Sequence, residues 1–344
     1  MLRKRGFLDF LIATLFASGS AIADSSAQIA PQTSGIPSPV LRLGEGSFLP
    51  KHVLLVDKSK RKVTVWRSNG NALEFISEAE SDFGKREGDK RHVNDLRTPE
   101  GIYFFESMLE GQQISFDLYG VRAFTTNYPN LFDRRLGKTG SGIWLHAIPD
   151  TESLERGSRG CVVVRNKSIL DLSKFIDLKR TALIIVDELH YLTANEYQNK
   201  QQMIVDRLQS WKSAWEAKDI DDYISFYSEQ FKSMKMDRER WKVFKQALNK
   251  KYNFIKVEIS QPIIYEFRDQ IVVQFLQKYS SDGNEDFGLK TLYMQRDGEN
   301  PQIIAEEWEA VDSEQAGQEL VQYPLEKISS SQASRRERPS FARQ

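Results

Sequence analysis

Cys161 is the one cysteine of this 344-residue chain; it stands in Ser158-Arg159-Gly160-Cys161, fifteen residues after His146. The first residues read as a secretion signal, and an exported chain with one thiol cannot use it for an internal disulfide. A packed, inert side chain is the common fate of a lone cysteine. The adjacent glycine and the upstream histidine favour the other use, a nucleophile. A thiol attacks as thiolate, and with an ordinary pKa near 8.5 only about 3% is ionised at pH 7. An imidazolium neighbour that lowered the pKa to roughly 6 would make the thiolate dominant, for about 3.4 kcal/mol of pair stabilisation. His146 closes the run Ile143-Trp144-Leu145-His146, and Cys161 opens Val162-Val163-Val164. Two strand ends joined by the polar loop from Ala147 to Ser158 can bring the side chains within hydrogen-bond reach. The amides of Gly160 and Cys161 can form an oxyanion hole for charge developing on a carbonyl. Asp150 can orient His146, although a loop acid is more often a solvated charge.

The other histidines, His52, His92 and His190, lie in no motif. No pair of His, Asp or Glu has metal-ligand spacing, so neither a metal nor a cofactor is expected.

The elements that position these residues follow from apolar periodicity. Residues 1–23 carry Arg3, Lys4 and Arg5, an apolar stretch from Phe7 to Ala17, and Ala21-Ile22-Ala23 before Asp24, the pattern of a cleaved signal peptide and hence of a periplasmic protein. The stretch is shorter than the about 20 apolar residues a spanning helix needs. Its removal takes three basic residues and one acidic from a chain of formal net charge zero, leaving minus two, a balance with no field for nucleic acid. Residues 24–40 read as a flexible leader. Short apolar runs from His52 to Asp57 and Lys62 to Arg67 predict a hairpin, with further strands at Leu73–Glu78, Gly101–Glu106, Ile114–Tyr119, Ile143–His146 and Thr181–Val186. A short helix capped by Asn166 runs to Ile176. Residues 41–195 are thus a mainly β domain. From His190 the period becomes helical: Ile204, Leu208, Trp211 and Trp215 share one face, more simply a packed core than a ligand cavity. Helices over Asp221–Phe231 and Asp237–Tyr252 precede strands at Ile255–Ser260, Ile263–Phe267, Ile271–Tyr279, Gly288–Gln295 and Gln302–Trp308. Residues 196–312 therefore form a separate α+β domain, without a convincing acid-base pair. Residues 313–344, ending in the arginine-rich stretch Arg335 to Arg343, read as a disordered tail.

Ile143–His146 followed by Ser158-Arg159-Gly160-Cys161-Val162 resembles the active-site signature of the L,D-transpeptidase catalytic domain, a β-sandwich-like cysteine enzyme of bacterial cell walls. The resemblance extends through Gly84-Lys85, Gly88-Asp89-Lys90, Thr98-Pro99-Glu100-Gly101 and Asn127-Tyr128-Pro129-Asn130, covering about 41–190. The second domain is similar to the cone-shaped folds of nuclear transport factors, and the combination resembles the subgroup with cell-shape-determining L,D-carboxypeptidases. Three positions depart from the family pattern: Ala147 stands where glycine is common, Arg159 where a second histidine is frequent, and Val163 where an arginine is usual. Arg165, two residues on and on the same face of a regular strand, is expected to substitute in part.

The resemblance implies a peptidoglycan stem tetrapeptide as substrate. Cys161 would attack the carbonyl of its third residue, expelling the terminal D-alanine and leaving a thioester, with His146 as proton carrier. Ser158, Arg159, Arg165 and Tyr128 would contact substrate, Arg159 as a carboxylate clamp. An amine acceptor gives transpeptidation and water gives carboxypeptidation; both remain open. A sortase-like enzyme lacks the Ser-x-Gly-Cys context. A non-catalytic cell-wall adaptor is the reading from another class, and the second domain is expected to dock a cell-wall protein or a second copy.

Overall fold

Alternation of apolar side chains decides the first sheet: Val63 and Val65 in the strand Lys62–Asn69 are fully buried while Lys62 and Thr64 are half-covered. The computed structural model describes residues 35–325 apart from Asn71 and Glu299. The signal segment, the leader before residue 35 and the tail beyond 325 lie outside the described residues. Eight strands hydrogen-bond in the order Ala72–Glu80, Lys62–Asn69, His52–Asp57, Ala182–Val186, Gly101–Glu110, Arg122–Thr126, Trp144–Ile148 and Val162–Arg165. Two neighbouring pairs are parallel, His52–Asp57 with Ala182–Val186 and Trp144–Ile148 with Val162–Arg165; the rest are antiparallel. The sheet curls until its ends meet, because Asp82, just past the first edge strand, exchanges two 2.8 Å backbone hydrogen bonds with Val163. Leu54, Tyr103, Phe105, Leu145, Val162 and Leu183 fill the inside of the curl.

The second domain is α+β. Its helices Ala194–Glu216, Ile220–Ser225 and Arg238–Lys251 start at Thr193, Asp219 and Asp237, whose side chains accept from the third backbone N–H along. They pack Trp211, Trp215, Tyr223 and Trp241 against Val257, Ile271, Val273 and Phe275 of a long antiparallel sheet. That sheet runs Asn300–Ala310, Glu285–Asp297, Gln270–Ser281, Ile263–Phe267 and then Val40–Arg42, with Ile255–Ile259 also paired to Gln270–Ser281. Its other face meets the first domain: Val53, Leu55, Ile102, Phe104 and Ile184 share one apolar cluster with Ile263, Tyr265, Leu289, Tyr293 and Ile304. Among the described residues no helix is long and apolar enough to cross a membrane.

Five expectations are corrected. The end of the leader is not flexible: Ile36–Pro37 pairs with Tyr191–Leu192, and Val40 is fully buried in a strand of the second sheet. Leu41 accordingly belongs to the second domain's core rather than to the first domain. Residues Ser313–Gln322 form a helix capped by Asp312, held because Ala316 and Leu320 pack on Leu276 and because the Glu319 carboxylate accepts the N–H groups of Phe48 and Leu49. The segment from Ile114 to Tyr119 is not a strand. Its alternating Ile114, Phe116 and Leu118 have no partner strand, and Gly111 and Gly120, at φ +57° and +61°, bound a 3-10 turn and the short helix Phe116–Tyr119. Asn166 is no cap, since it is the first helical residue and its Oδ1 accepts from Val121 N–H at 3.0 Å.

Candidate active site

His146 and Cys161 lie on one face because of strand alternation. Leu145 pairs with Val162 and His146 with Val163; Leu145, Ala147, Val162 and Val164 point into the curl. Trp144, His146 and Ile148 therefore turn outward together with Cys161 and Val163. Cys161 precedes its strand by one residue, so it is the diagonal neighbour of His146, at a same-face spacing of roughly 7–8 Å between backbones.

The imidazole is 4% exposed, with the Tyr119 ring edge-on at 5.1 Å between centroids. Its Nδ1 lies 2.6 Å from the carbonyl oxygen of Ala147. A carbonyl only accepts, so Nδ1 carries the proton and Nε2 presents a lone pair. Burial holds the imidazole down to about 4, against the Ala147 carbonyl, which favours the charged ring. The half-buried Cys161 packs against Ile148, Leu154 and Val163. Its thiol donates to the Gly142 carbonyl at 3.5 Å. Burial pushes the thiol up, opposed by the Trp144 N–H and the Lys90 ammonium. The thiol is thus raised rather than lowered, against the expectation of a resting thiolate–imidazolium pair: burial disfavours the charged form of both groups.

The loop before the thiol is tied to residues 82–98. Gly157 N–H donates to Asp82 Oδ2 at 2.7 Å, Ser158 N–H to the Phe83 carbonyl at 2.6 Å, and Lys85 N–H to the Ser158 carbonyl at 3.1 Å. Gly160 sits at φ +136°, and a Cβ there would lie 2.7 Å from the Arg97 carbonyl oxygen. Only glycine fits this approach of two backbones.

The expected substrate and oxyanion residues fare differently. Ser158 Oγ donates to the Cys161 carbonyl at 2.7 Å and accepts Gly160 N–H at 3.0 Å. Ser158 is therefore a brace, and the Gly160 amide is spent; Cys161 N–H makes no hydrogen bond outside the strand ladders among the described residues. Arg159 is exposed and has no ion-pair partner among the described residues. Arg165 donates to the Glu152 carbonyl at 2.7 Å and so braces the loop before the thiol. Tyr128 is 4% exposed, and its hydroxyl donates to the Thr139 carbonyl at 3.1 Å; it is a buried prop, not a substrate contact. Asp150 is exposed, and the role of orienting His146 falls to the Ala147 carbonyl.

Sequence reasoning missed Tyr119, Gly142, Trp144 N–H and Lys90 as neighbours of the pair. Lys90 alone had a signal, the Gly88-Asp89-Lys90 motif; its buried ammonium binds Asp95 Oδ1 at 2.7 Å and the His92 carbonyl at 3.0 Å. The second domain does hold an acid-base cluster. Buried Glu306 accepts from Tyr227 at 2.9 Å and pairs with Lys290. Nearby, burial holds Lys245, 3.9 Å above the Trp215 ring, down to about 7. A cavity of about 670 Å³ between the two sheets, lined by Phe104, Lys179, Met234, Tyr293 and Trp308 among others, does not include Cys161 or His146.

The L,D-transpeptidase catalytic domain family matches residues 51–186, and the Cds6 C-terminal NTF2-like domain family matches residues 203–307. The structure of Bd1075 from Bdellovibrio bacteriovorus is 45% identical, with a TM-score of 0.75 over 81% of this chain and 99% of that one. The helical cell shape determining protein Pgp2 from Campylobacter jejuni is 24% identical with a TM-score of 0.63, over 81% of this chain and 96% of that one. A point variant of Pgp2 is 26% identical with a TM-score of 0.62, over 78% and 93%. No curated protein sequence matches the chain. With the two domain families in this order and a 45% identical relative spanned over 99% of its length, the chain belongs to the family that joins an L,D-transpeptidase catalytic domain to a C-terminal NTF2-like domain, a family of peptidoglycan-related function.

Proposed function

We propose that the chain is a periplasmic enzyme that cleaves the terminal D-alanine from peptidoglycan tetrapeptide stems through a thioester on Cys161. The observation that carries this reading is the shared outward face of Cys161 and His146, with the imidazole proton held on Nδ1 and the Nε2 lone pair free. Nε2 takes the thiol proton as sulfur attacks the carbonyl of the third stem residue. The Cys161 N–H donates to the developing oxyanion. The imidazolium then protonates the leaving amine of D-alanine as the C–N bond breaks, and the acyl group stays on sulfur. An amine or a water attacks this thioester, with His146 again removing the proton and the thiol leaving as thiolate to recover it. A buried pair suits this sequence, because charge forms only when substrate is in place.

Cations on the loop before the thiol and on the segment bonded to it support an anionic peptide as substrate. Lys85, Arg86 and Arg159 are exposed and Arg97 half-buried, and none has an ion-pair partner among the described residues. Export is supported by the composition of residues 1–23. Similarity to a protein described as determining helical cell shape supports a role in cell-wall shape.

The test is incubation with purified disaccharide tetrapeptide and mass spectrometry of the products. Disaccharide tripeptide shows water as acceptor, and a crosslinked dimer shows an amine. Tetrapeptide left intact by folded protein refutes the reading and favours a non-catalytic adaptor.

A further inference from the structure

One side chain of the second domain reaches the buried ionic network that backs the thiol loop. Arg268 is at the tip of the hairpin joining Ile263–Phe267 to Gln270–Ser281, at φ +56°. Its guanidinium donates to Glu100 Oε2 at 2.6 Å; Lys58 Nζ binds the other oxygen, Oε1, at 2.8 Å. The Glu100 side chain is 2% exposed, and Lys58 also donates to the Gly88 carbonyl at 2.9 Å. Glu100 N–H donates to Asp89 Oδ1, which also receives the buried Lys138, each at 2.9 Å. Two residues before Glu100, Thr98 Oγ1 accepts Gly84 N–H at 2.9 Å. Next to it, the Arg97 carbonyl is the surface on which Gly160 rests.

We propose that Arg268 is a positioning residue for the catalytic cleft: through Glu100 it fixes the Arg97–Thr98 backbone on which Gly160 and Cys161 are seated. A carboxylate so deeply buried is stable in one place only while its charge is matched and its oxygens are filled. Lys58 comes from the catalytic domain itself, so it cannot register one domain on the other. Arg268 can, and it makes the hairpin tip of the NTF2-like domain part of the wall behind the nucleophile. Arg268 is 56% exposed and Lys58 remains when it is removed, so Arg268→Ala is expected to fold.

The role assigned to Arg268 rests on the proposed thioester chemistry, so the test has one arm that needs no substrate. In the full chain, Arg268→Ala is expected to speed amide hydrogen exchange of residues 84–98 about tenfold, the equivalent of 1.4 kcal/mol. It is expected to lower kcat for D-alanine release by a similar factor while KM stays within about twofold, because misplacing a nucleophile costs rate rather than binding. Arg268→Lys keeps a cation and is expected to recover most of both losses. Lys242→Ala, which removes a 2.7 Å partner of exposed Asp221 between two helices of the same domain, is expected to change neither. Unchanged exchange in Arg268→Ala, or exchange raised evenly over the whole chain, overturns the assignment. If the wild type leaves tetrapeptide intact, the chemical reading falls, and the exchange arm still decides whether Arg268 positions the segment.

Discussion

A buried neutral imidazole leaves a signature in the pH dependence of stability. His146 titrates at 6.5 when solvated and is held down to about 4 in the fold. Between those values the unfolded chain binds a proton that the folded chain refuses, so folding weakens as pH falls from about 6.5 towards 4. The full difference is about 3 kcal/mol, and most of it is expressed between pH 7.5 and 4.5. His146→Gln does not titrate, whatever fixed cost the substitution carries. The assay is urea denaturation of both proteins at the two pH values. Carboxylates titrate in both and cancel in the comparison. Wild type is expected to lose roughly 2–3 kcal/mol more than His146→Gln on acidification. Equal losses would mean a solvated ring. A smaller loss in wild type would mean a ring raised by a thiolate partner, and either result refutes the neutral resting pair.

Three further outcomes follow from the same site. Gly160→Ala places a methyl 2.7 Å from the Arg97 carbonyl oxygen at φ +136°, and is expected to cost about 1–3 kcal/mol of stability by denaturation and about a hundredfold in kcat by displacing Cys161. Arg159→Ala removes an exposed, unpartnered guanidinium; stability is expected to hold within about 0.5 kcal/mol while KM for tetrapeptide rises about tenfold, the worth of one charge-assisted hydrogen bond. Tyr128→Phe loses the hydrogen bond to the Thr139 carbonyl and is expected to lower stability by about 1 kcal/mol with kcat and KM unchanged, which separates a buried prop from a substrate contact.

His146 and Cys161 stood out in the sequence through a local signal, two apolar runs meeting at a polar loop, and the parallel pairing of Trp144–Ile148 with Val162–Arg165 sets both residues on one face. The helices of the second domain were legible for a similar reason: Thr193, Asp219 and Asp237 are strong caps, and Ile204, Leu208, Trp211 and Trp215 keep helical spacing. What failed depended on distant partners. The electrostatic state of Cys161 and His146 is set by Tyr119, Leu154 and the sheet around them, which no spacing rule reveals. Ser158 and Gly160 looked like free groups at a loop tip, yet each is used by the other. The segment Ile114–Tyr119 has the pattern of a strand without a neighbour to pair with. Val40 and Leu41 were assigned by proximity in sequence, whereas the second sheet had an open edge beside Ile263–Phe267 that they fill.

The central chemical claim is a covalent acyl bond to one sulfur, and intact-protein mass spectrometry reads it directly. Wild type mixed with disaccharide tetrapeptide and quenched in acid is expected to gain the mass of the stem less D-alanine, on Cys161, in a form that hydroxylamine removes. The Cys161→Ser protein is expected to gain no such thioester. A folded wild type that releases D-alanine without ever carrying that mass, or a Cys161→Ser protein that releases it at the wild-type rate, would contradict thioester catalysis by Cys161.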